Sequence, residues 1–346
     1  MHRASGTATP ERRAPATLVS MKVTFTQDGV AVPEVLLARE QDKNQLALAS
    51  RQGSLTRIRR GAYCDPDDIR ADGPASAPRE KRNRELARAR ALHRQLRSNV
   101  VFSHTTAALL LGCPVWTVPD RTHVYQRYRP SSRAAKDIAR HVGTVPAYAV
   151  TTVHGLPVTS LVRTVVDCAL ALHPLEALVI ADFALSHDID RAELLVELGA
   201  RAERRGVRRA RLVLELADGG SHSPWETWVR YEMLRSGLPR PVTQMAVPTD
   251  SGLFHTDLGY EQWNLGVEFD GLIKYRPDGV GTGHDPAREF MSEKGRAEAI
   301  RRTGVAVERV TASDRRDVPS MLARLTAHLP PHVLQRARVN PLLPPS

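Results

Sequence analysis

At 346 residues, 42% hydrophobic and 25% charged, the chain is long enough for roughly two or three domains with their own cores, and it has no run fit to cross a bilayer. The net charge of +11 is uneven: residues 1–100 hold 19 Lys and Arg against 11 Asp and Glu, and the rest 30 against 27. A polyanion partner, DNA above all, is therefore to be sought in the first third, unless the Arg excess is only compositional bias. Cys64, Cys113 and Cys168 match no CxxC or disulfide spacing, which suits a reducing cytoplasm.

Residues 1–20 lack an apolar segment and predict a disordered leader rather than a signal peptide. Asp42 then caps a short helix running to Ser50. Residues 54–64, SLTRIRRGAYC, predict a small hairpin with Gly53 and Gly61 at turns and with Arg57, Arg59 and Arg60 along it. A helix followed by a basic hairpin is how a winged helix-turn-helix ends, so those three arginines are candidate DNA contacts over residues 21–75. After a Pro- and Gly-rich linker, Pro78 to Leu96 predicts a helix with Leu86, Ala89, Leu92, His93 and Leu96 on one stripe and six arginines elsewhere, equally open to solvent or phosphate.

The middle stretch, 76–220, mixes both element types. Ser103 caps a short buried helix that stops at Gly112 and Pro114, and His104 beside it reads as a structural hydrogen bonder. β-rich stretches follow at Thr122 to Tyr128 and Val142 to Val153. Ser160 caps a helix burying Val162, Val165, Val166 and Ala169, on which Arg163 and Asp167 predict a surface pair worth roughly a few tenths of a kcal/mol. Helices over 174–185 and 190–198, and a basic helix ending at Gly219 and Gly220, complete this part.

From residue 221 the pattern is regular: helix, three strands, helix, strand, helix. Ser223 is an N-cap with Pro224 first and Glu226 third in the helix. In LFHTDLGYEQWNLGVEFDGLIKY, residues 253–275, strict alternation puts Phe254, Thr256, Leu258 and Tyr260 on one face and His255, Asp257 and Gly259 on the other; Glu268 and Asp270 share a face of the next strand. A turn centred on Gln262 and Trp263 sets Asp257 opposite Glu268. Three carboxylates so gathered require a hard cation such as Mg²⁺ or a positive side chain to neutralise them, unless they form only the solvated face of the hairpin.

That element order, with Asp257 on the second strand and Glu268 on the third, resembles the PD-(D/E)XK nuclease superfamily. SPWETW, LGVEFDGLIKY, SEKGRAEAIRRTG and TASD together resemble the domain related to very-short-patch-repair endonucleases. The resemblance implies an α+β, multidomain chain with a restriction-endonuclease-like αβββαβ domain over 221–330 and a tail at 331–346. It also implies Mg²⁺ or Mn²⁺ on Asp257 and Glu268, support from Glu226, and a lysine two residues after Glu268. Asp270 stands there instead, able to extend the metal site, with Lys274 or Lys294 left to position water or phosphate. SLTRIRRGAYC, FSHTTAALLLGCPVW and HGLPVTSLVRTVVDCA resemble AbiEi-like antitoxins, which implies an N-terminal winged helix-turn-helix, a mixed α/β middle domain and promoter DNA as partner, with a cognate toxin and a homodimer as further partners. The competing reading is a repressor with an inactive nuclease fold.

Overall fold

The computed structural model describes residues 30–73, 76–96, 99–129, 135–271 and 295–346, and they form a mixed α/β, multidomain protein with three separate sheets. The leader, Lys274 and Lys294 lie outside them. Among the described residues no helix is long and apolar enough to cross a membrane.

The first sheet is small, with strands β1 (Leu36–Leu37), β2 (Thr56–Arg59) and β3 (Ala62–Cys64) in the order β1-β3-β2. Gly61, at φ +73°, makes the hairpin turn that a side chain would strain. Between β1 and β2 runs α1 (Lys43–Arg51), whose N-cap Asp42 accepts from the Asn44 and Gln45 amides as the sequence predicts. The sheet closes through Val35, Leu37, Ile58 and Ile69 onto Ala87 and Ala91 of α2 (Ser76–Gln95). The adjoining face of α2, with Leu86, Ala89 and Leu92, serves the next core, while His93 is exposed. One helix thus ties two sheets together.

The second sheet contains β4 (Val101–Phe102), β5 (Thr122–Gln126), β6 (Ile138–Val142), β7 (Val150–Val153) and β8 (Leu156–Thr159), in the order β6-β5-β4-β8-β7. The stretch expected as one β-rich run from Val142 therefore divides, because Pro146 starts a short 3₁₀ turn between β6 and β7. Helix α3 (His104–Leu110) follows β4 and is buried throughout. Four helices come next: α4 (Leu161–Ala171), α5 (Pro174–Leu185), α6 (Arg191–Gly199) and α7 (Val207–Leu216). The Arg163–Asp167 pair on α4 is buried, not on the surface, because the helix packs that side against β5. Arg163 Nε donates to both Asp167 oxygens at 2.9 and 2.8 Å, and its Nη2 donates to the Tyr125 hydroxyl at 2.9 Å.

The third sheet follows α8 (Pro224–Arg235) and comprises β9 (Val242–Thr249), β10 (Gly252–Tyr260), β11 (Leu265–Asp270) and β12 (Ala306–Thr311), ordered β12-β11-β10-β9. The first three run antiparallel; β11 and β12 are parallel, with helical residues 295–302 (α9) between them. Helices α10 (Val318–Thr326) and α11 (Pro331–Arg336) complete the described chain. The β10–β11 register, Leu258 with Val267 and Tyr260 with Leu265, has the index sum that the Gln262–Trp263 turn predicts.

Three features depart from the sequence reading. Alternation along β10 breaks at Asp257: Phe254 packs on the α9 side with Met245, Val247 and Ile300, whereas Leu258 and Tyr260 join the core under α8. Opposite Asp257 stands Gln244, in the left-handed region at φ +49°, and that pair is missing from a ladder otherwise continuous from Thr256–Met245 to Leu258–Thr243. A bulge-like kink in both strands switches the faces. The segment expected as a tail is also packed: Tyr231 Oη donates to the Pro344 carbonyl at 2.6 Å, Leu343 is buried, and the Arg338 backbone fills the space a Cβ at Gly237 would need. Moreover, α4, α5 and α7 share one continuous core with α8 and the third sheet, so residue 220 is no boundary between cores.

Candidate functional site

The acidic residues singled out in the sequence gather around the point where β10 and β11 part. Pairing of the two strands is last seen at Leu258–Val267, while β11 continues beside β12 as far as Asp270–Thr311. The Phe269 amide donates to Asp257 Oδ2 at 2.7 Å. Into the same gap reaches Arg296 of α9, whose Nη2 donates to Glu268 Oε1 at 2.7 Å and to the His255 carbonyl at 2.5 Å. Asp270 faces Arg309 of β12 at 3.7 Å. The expected convergence of Asp257, Glu268 and Asp270 on one cation thus meets another arrangement, in which a backbone amide and two arginines each take one carboxylate. Cations are what the like charges require, and here guanidinium groups supply part of that charge.

Glu226 comes from the first turn of α8. Ser223 Oγ accepts from the Glu226 amide at 3.2 Å, and Glu226 Oε2 accepts from the His222 amide at 2.8 Å, so the cap also orients the carboxylate. Its neighbour Trp225 stacks on Phe269 with ring centroids 5.1 Å apart, pressing the start of α8 against β11. Burial raises the Glu226 carboxyl above its usual range; the His222 amide opposes this and the negative charge of Asp257 adds to it. A cavity of about 340 Å³ on the α9 side is bordered by Glu268, Arg296, Ile300 and Arg309, with neither Glu226 nor Asp257 in its lining. Lys274 lies outside the described residues.

The basic hairpin divides by role. Arg57 and Arg60 are exposed. Arg59 is not: it is 11% exposed, binds Asp137 through Nε at 3.0 Å and donates from Nη1 to Gln95 at 2.8 Å. It fastens the hairpin to α2 and to the turn before β6, which removes it from the surface that could meet a phosphate.

A second constellation was not anticipated. His104, His123 and His141 bring their ligand atoms within 4.8 Å of one another, and among the described residues this is the group of three or more His, Cys, Asp or Glu side chains that could hold a metal ion. His123 and His141 come from the neighbouring strands β5 and β6, with Nδ1 of the first 3.1 Å from Nε2 of the second. His104 opens α3 at a left-handed φ of +52° and stacks on His141 at 3.7 Å. Such backbone strain in a non-glycine residue is a reason to look for function. The Ser103 side chain does not cap α3; its Oγ lies 3.0 Å from His104 Nδ1 instead. Burial lowers all three imidazoles, His123 to about 4, with His141 adding to the effect on His104 and His123. They are neutral at physiological pH, the form that ligates metals. The sequence signal was faint, since the three residues sit on separate elements at unremarkable spacings.

No protein-family model matches the chain. It is similar to the uncharacterized proteins MT2308 and Rv2248 of two Mycobacterium tuberculosis strains, CDC 1551 / Oshkosh and H37Rv, each 25% identical over 292 residues that cover 83% of this chain and 97% of the relative. Among solved structures it is similar to the RV2827C protein from Mycobacterium tuberculosis, at 15% identity and a TM-score of 0.34, over 53% of this chain and 72% of that one. At that score the likeness bears on neither fold nor function.

Proposed function

We propose that the chain is a DNA-binding protein whose C-terminal region is a restriction-endonuclease-like domain that hydrolyses phosphodiesters with Mg²⁺ or Mn²⁺. The observation that supports this is the order α8-β9-β10-β11-α9-β12, with a mixed four-stranded sheet, with Asp257 and Glu268 beside the point where β10 and β11 separate, and with Glu226 in the first turn of α8, which Trp225 packs on β11. The donors are all carboxylate oxygens, which fits a hard cation, and Mg²⁺ is held by one or two carboxylates plus water and phosphate. Asp257 and Glu226 fit that requirement better than Glu268 and Asp270, which are bound to arginines. When bound, the cation supplies Lewis-acid polarisation of a phosphoryl oxygen and an activated water. Asp257 and Glu226 would hold it, Trp225 and Ser223 fix Glu226, and Arg296 and Arg309 would add positive charge beside the phosphate. Arg57 and Arg60 add backbone contacts that position DNA without reading its bases.

A second reading is favoured by a specific observation: Asp270 occupies the place of the motif lysine, and Arg296 already neutralises Glu268. On that reading the fold no longer cleaves and the protein is an antitoxin-like repressor with a toxin partner. Purified protein incubated with plasmid DNA and Mg²⁺ or Mn²⁺ separates the two. Cleavage that disappears in Asp257→Ala and Glu226→Gln but persists in Arg57→Ala supports the hydrolase. Intact plasmid together with tight, salt-sensitive DNA binding supports the repressor.

A further inference from the structure

The histidine triad does not stand alone. His104 and His141 border a cavity of about 360 Å³ whose lining also carries Arg140, Arg163, Arg201, Arg204 and Arg205. Asp167 is the acid on that lining, and Arg163 binds it through both oxygens. Arg201 is paired with Glu197 at 2.8 Å, and Arg204 and Arg205 are exposed on the turn that follows α6. The lining thus keeps a large positive excess around the histidine nitrogens. A cavity of this size is at the lower end of those that take small molecules.

We propose that His104, His123 and His141 bind one transition-metal ion of the zinc class, and that this ion and the arginines around it form a binding pocket for a small phosphate-bearing ligand. Imidazole nitrogens suit zinc, copper or nickel and not magnesium, so this centre selects a different ion from the carboxylates near Asp257. Three histidines also leave a fourth coordination position for an oxygen of the ligand. Ser103, wholly buried beside His104 Nδ1, acts from behind: by accepting a hydrogen bond from Nδ1–H it leaves Nε2 of His104 with its lone pair. Arginine is suited to the rest, because its planar fork binds phosphate oxygens in pairs.

The experiment uses the full chain stripped with a chelator. Zn²⁺ is titrated in competition with a chromogenic chelator; one equivalent is expected to bind, to weaken at least tenfold in His123→Ala, and to be unchanged in Glu268→Gln. Co²⁺ in place of Zn²⁺ is expected to give the visible absorption of a four-coordinate site. Inorganic phosphate and a 5′-mononucleotide are then titrated calorimetrically, with binding expected to weaken tenfold or more without Zn²⁺ and in the double variant Arg204→Ala, Arg205→Ala. A short DNA duplex forms the third arm: if it alone binds in an Arg204- and Arg205-dependent manner, the small-ligand proposal is overturned. It is also overturned if Zn²⁺ affinity is the same in His123→Ala, or if phosphate binds equally well with and without metal. Should His123→Ala fail to fold, the Co²⁺ spectrum decides, and a colourless wild-type protein refutes the site. Plasmid cleavage does not enter any of these readouts, so failure here and failure of the function proposed for the C-terminal region are separately visible.

Discussion

Replacing Asp182 by alanine tests how α5 and α8 are joined. Asp182 is 2% exposed and Arg230 is fully buried. Arg230 Nη2 donates to Asp182 Oδ2 at 2.5 Å, and the same carboxylate accepts from the Thr227 hydroxyl at 2.8 Å and the Asp218 amide at 2.7 Å. In Asp182→Ala, Arg230 keeps the Leu216 carbonyl and Ser221 Oγ as acceptors but has lost its counter-charge in a dry interior. Breaking a buried pair from one side costs about 3–5 kcal/mol, mostly through the stranded charge. At roughly 2–4 °C per kcal/mol for a unit of this size, the melting temperature should fall on the order of 10 °C. Asp182→Leu combined with Arg230→Met removes both charges together. It leaves the Asp218 amide and Leu216 carbonyl unpaired, so it will not equal the parent, yet it should lose less than the two single changes added. Urea denaturation of the four proteins gives the double-mutant cycle. A loss below about 1 kcal/mol for Asp182→Ala, or strict additivity in the cycle, would show that Arg230 does not depend on this counter-charge.

Three further outcomes are expected. Arg59→Ala should lower stability by about 1–2 kcal/mol, through the lost charged hydrogen bonds to Asp137 and Gln95, whereas Arg57→Ala and Arg60→Ala leave the melting curve in place and instead flatten the salt dependence of DNA binding. Glu85 is buried against Thr106, and burial raises its carboxyl to about 7. The folded state therefore takes up its proton more readily than the unfolded chain, and the stabilisation is full below the unfolded value of 4.5 and is lost as pH rises through about 7. Glu85→Gln should flatten that part of the pH profile and gain up to about 3 kcal/mol at pH 8; urea midpoints with the same pH dependence as the parent would contradict it. Finally, Cys64, Cys113 and Cys168 are buried, and burial pushes every one of these thiols up, Cys64 to about 11. A thiol reagent should label none of them until denaturant is added.

How much of this could be read from the residues depends on whether the cause was local. The α8 cap was legible because Ser223, Pro224 and Glu226 act within one turn, and the β10–β11 register followed from a short turn between two apolar runs. The face switch at Asp257 was not, since it comes from a left-handed Gln244 on the partner strand, a conformation no local rule assigns to glutamine. Asp167 misled for the related reason that spacing finds a pair on one helix but not the strand lying against it. The histidine triad was invisible because the parallel pairing of β5 with β6 brings His123 and His141 together, and only the tertiary fold adds His104. For the acidic group, spacing put Asp257 and Glu268 on adjacent strands, but the ladder ends at Leu258–Val267, short of pairing them, and Arg296 and Arg309, the partners of Glu268 and Asp270, come from elements that the pattern could not orient.

The continuous core beneath α4, α5, α7 and α8 has a practical corollary for ligand screening. Arg163 and Asp167, at the edge of the arginine-lined cavity, ride on α4, and Glu226 rides on α8, and the two helices share one core, from which a single cooperative unfolding unit is expected. Any compound or ion that stabilises either will move the same calorimetric peak, and truncating the chain at residue 220 would bare greasy surface on both fragments. Assigning a thermal shift to one centre will therefore require point variants, not isolated halves.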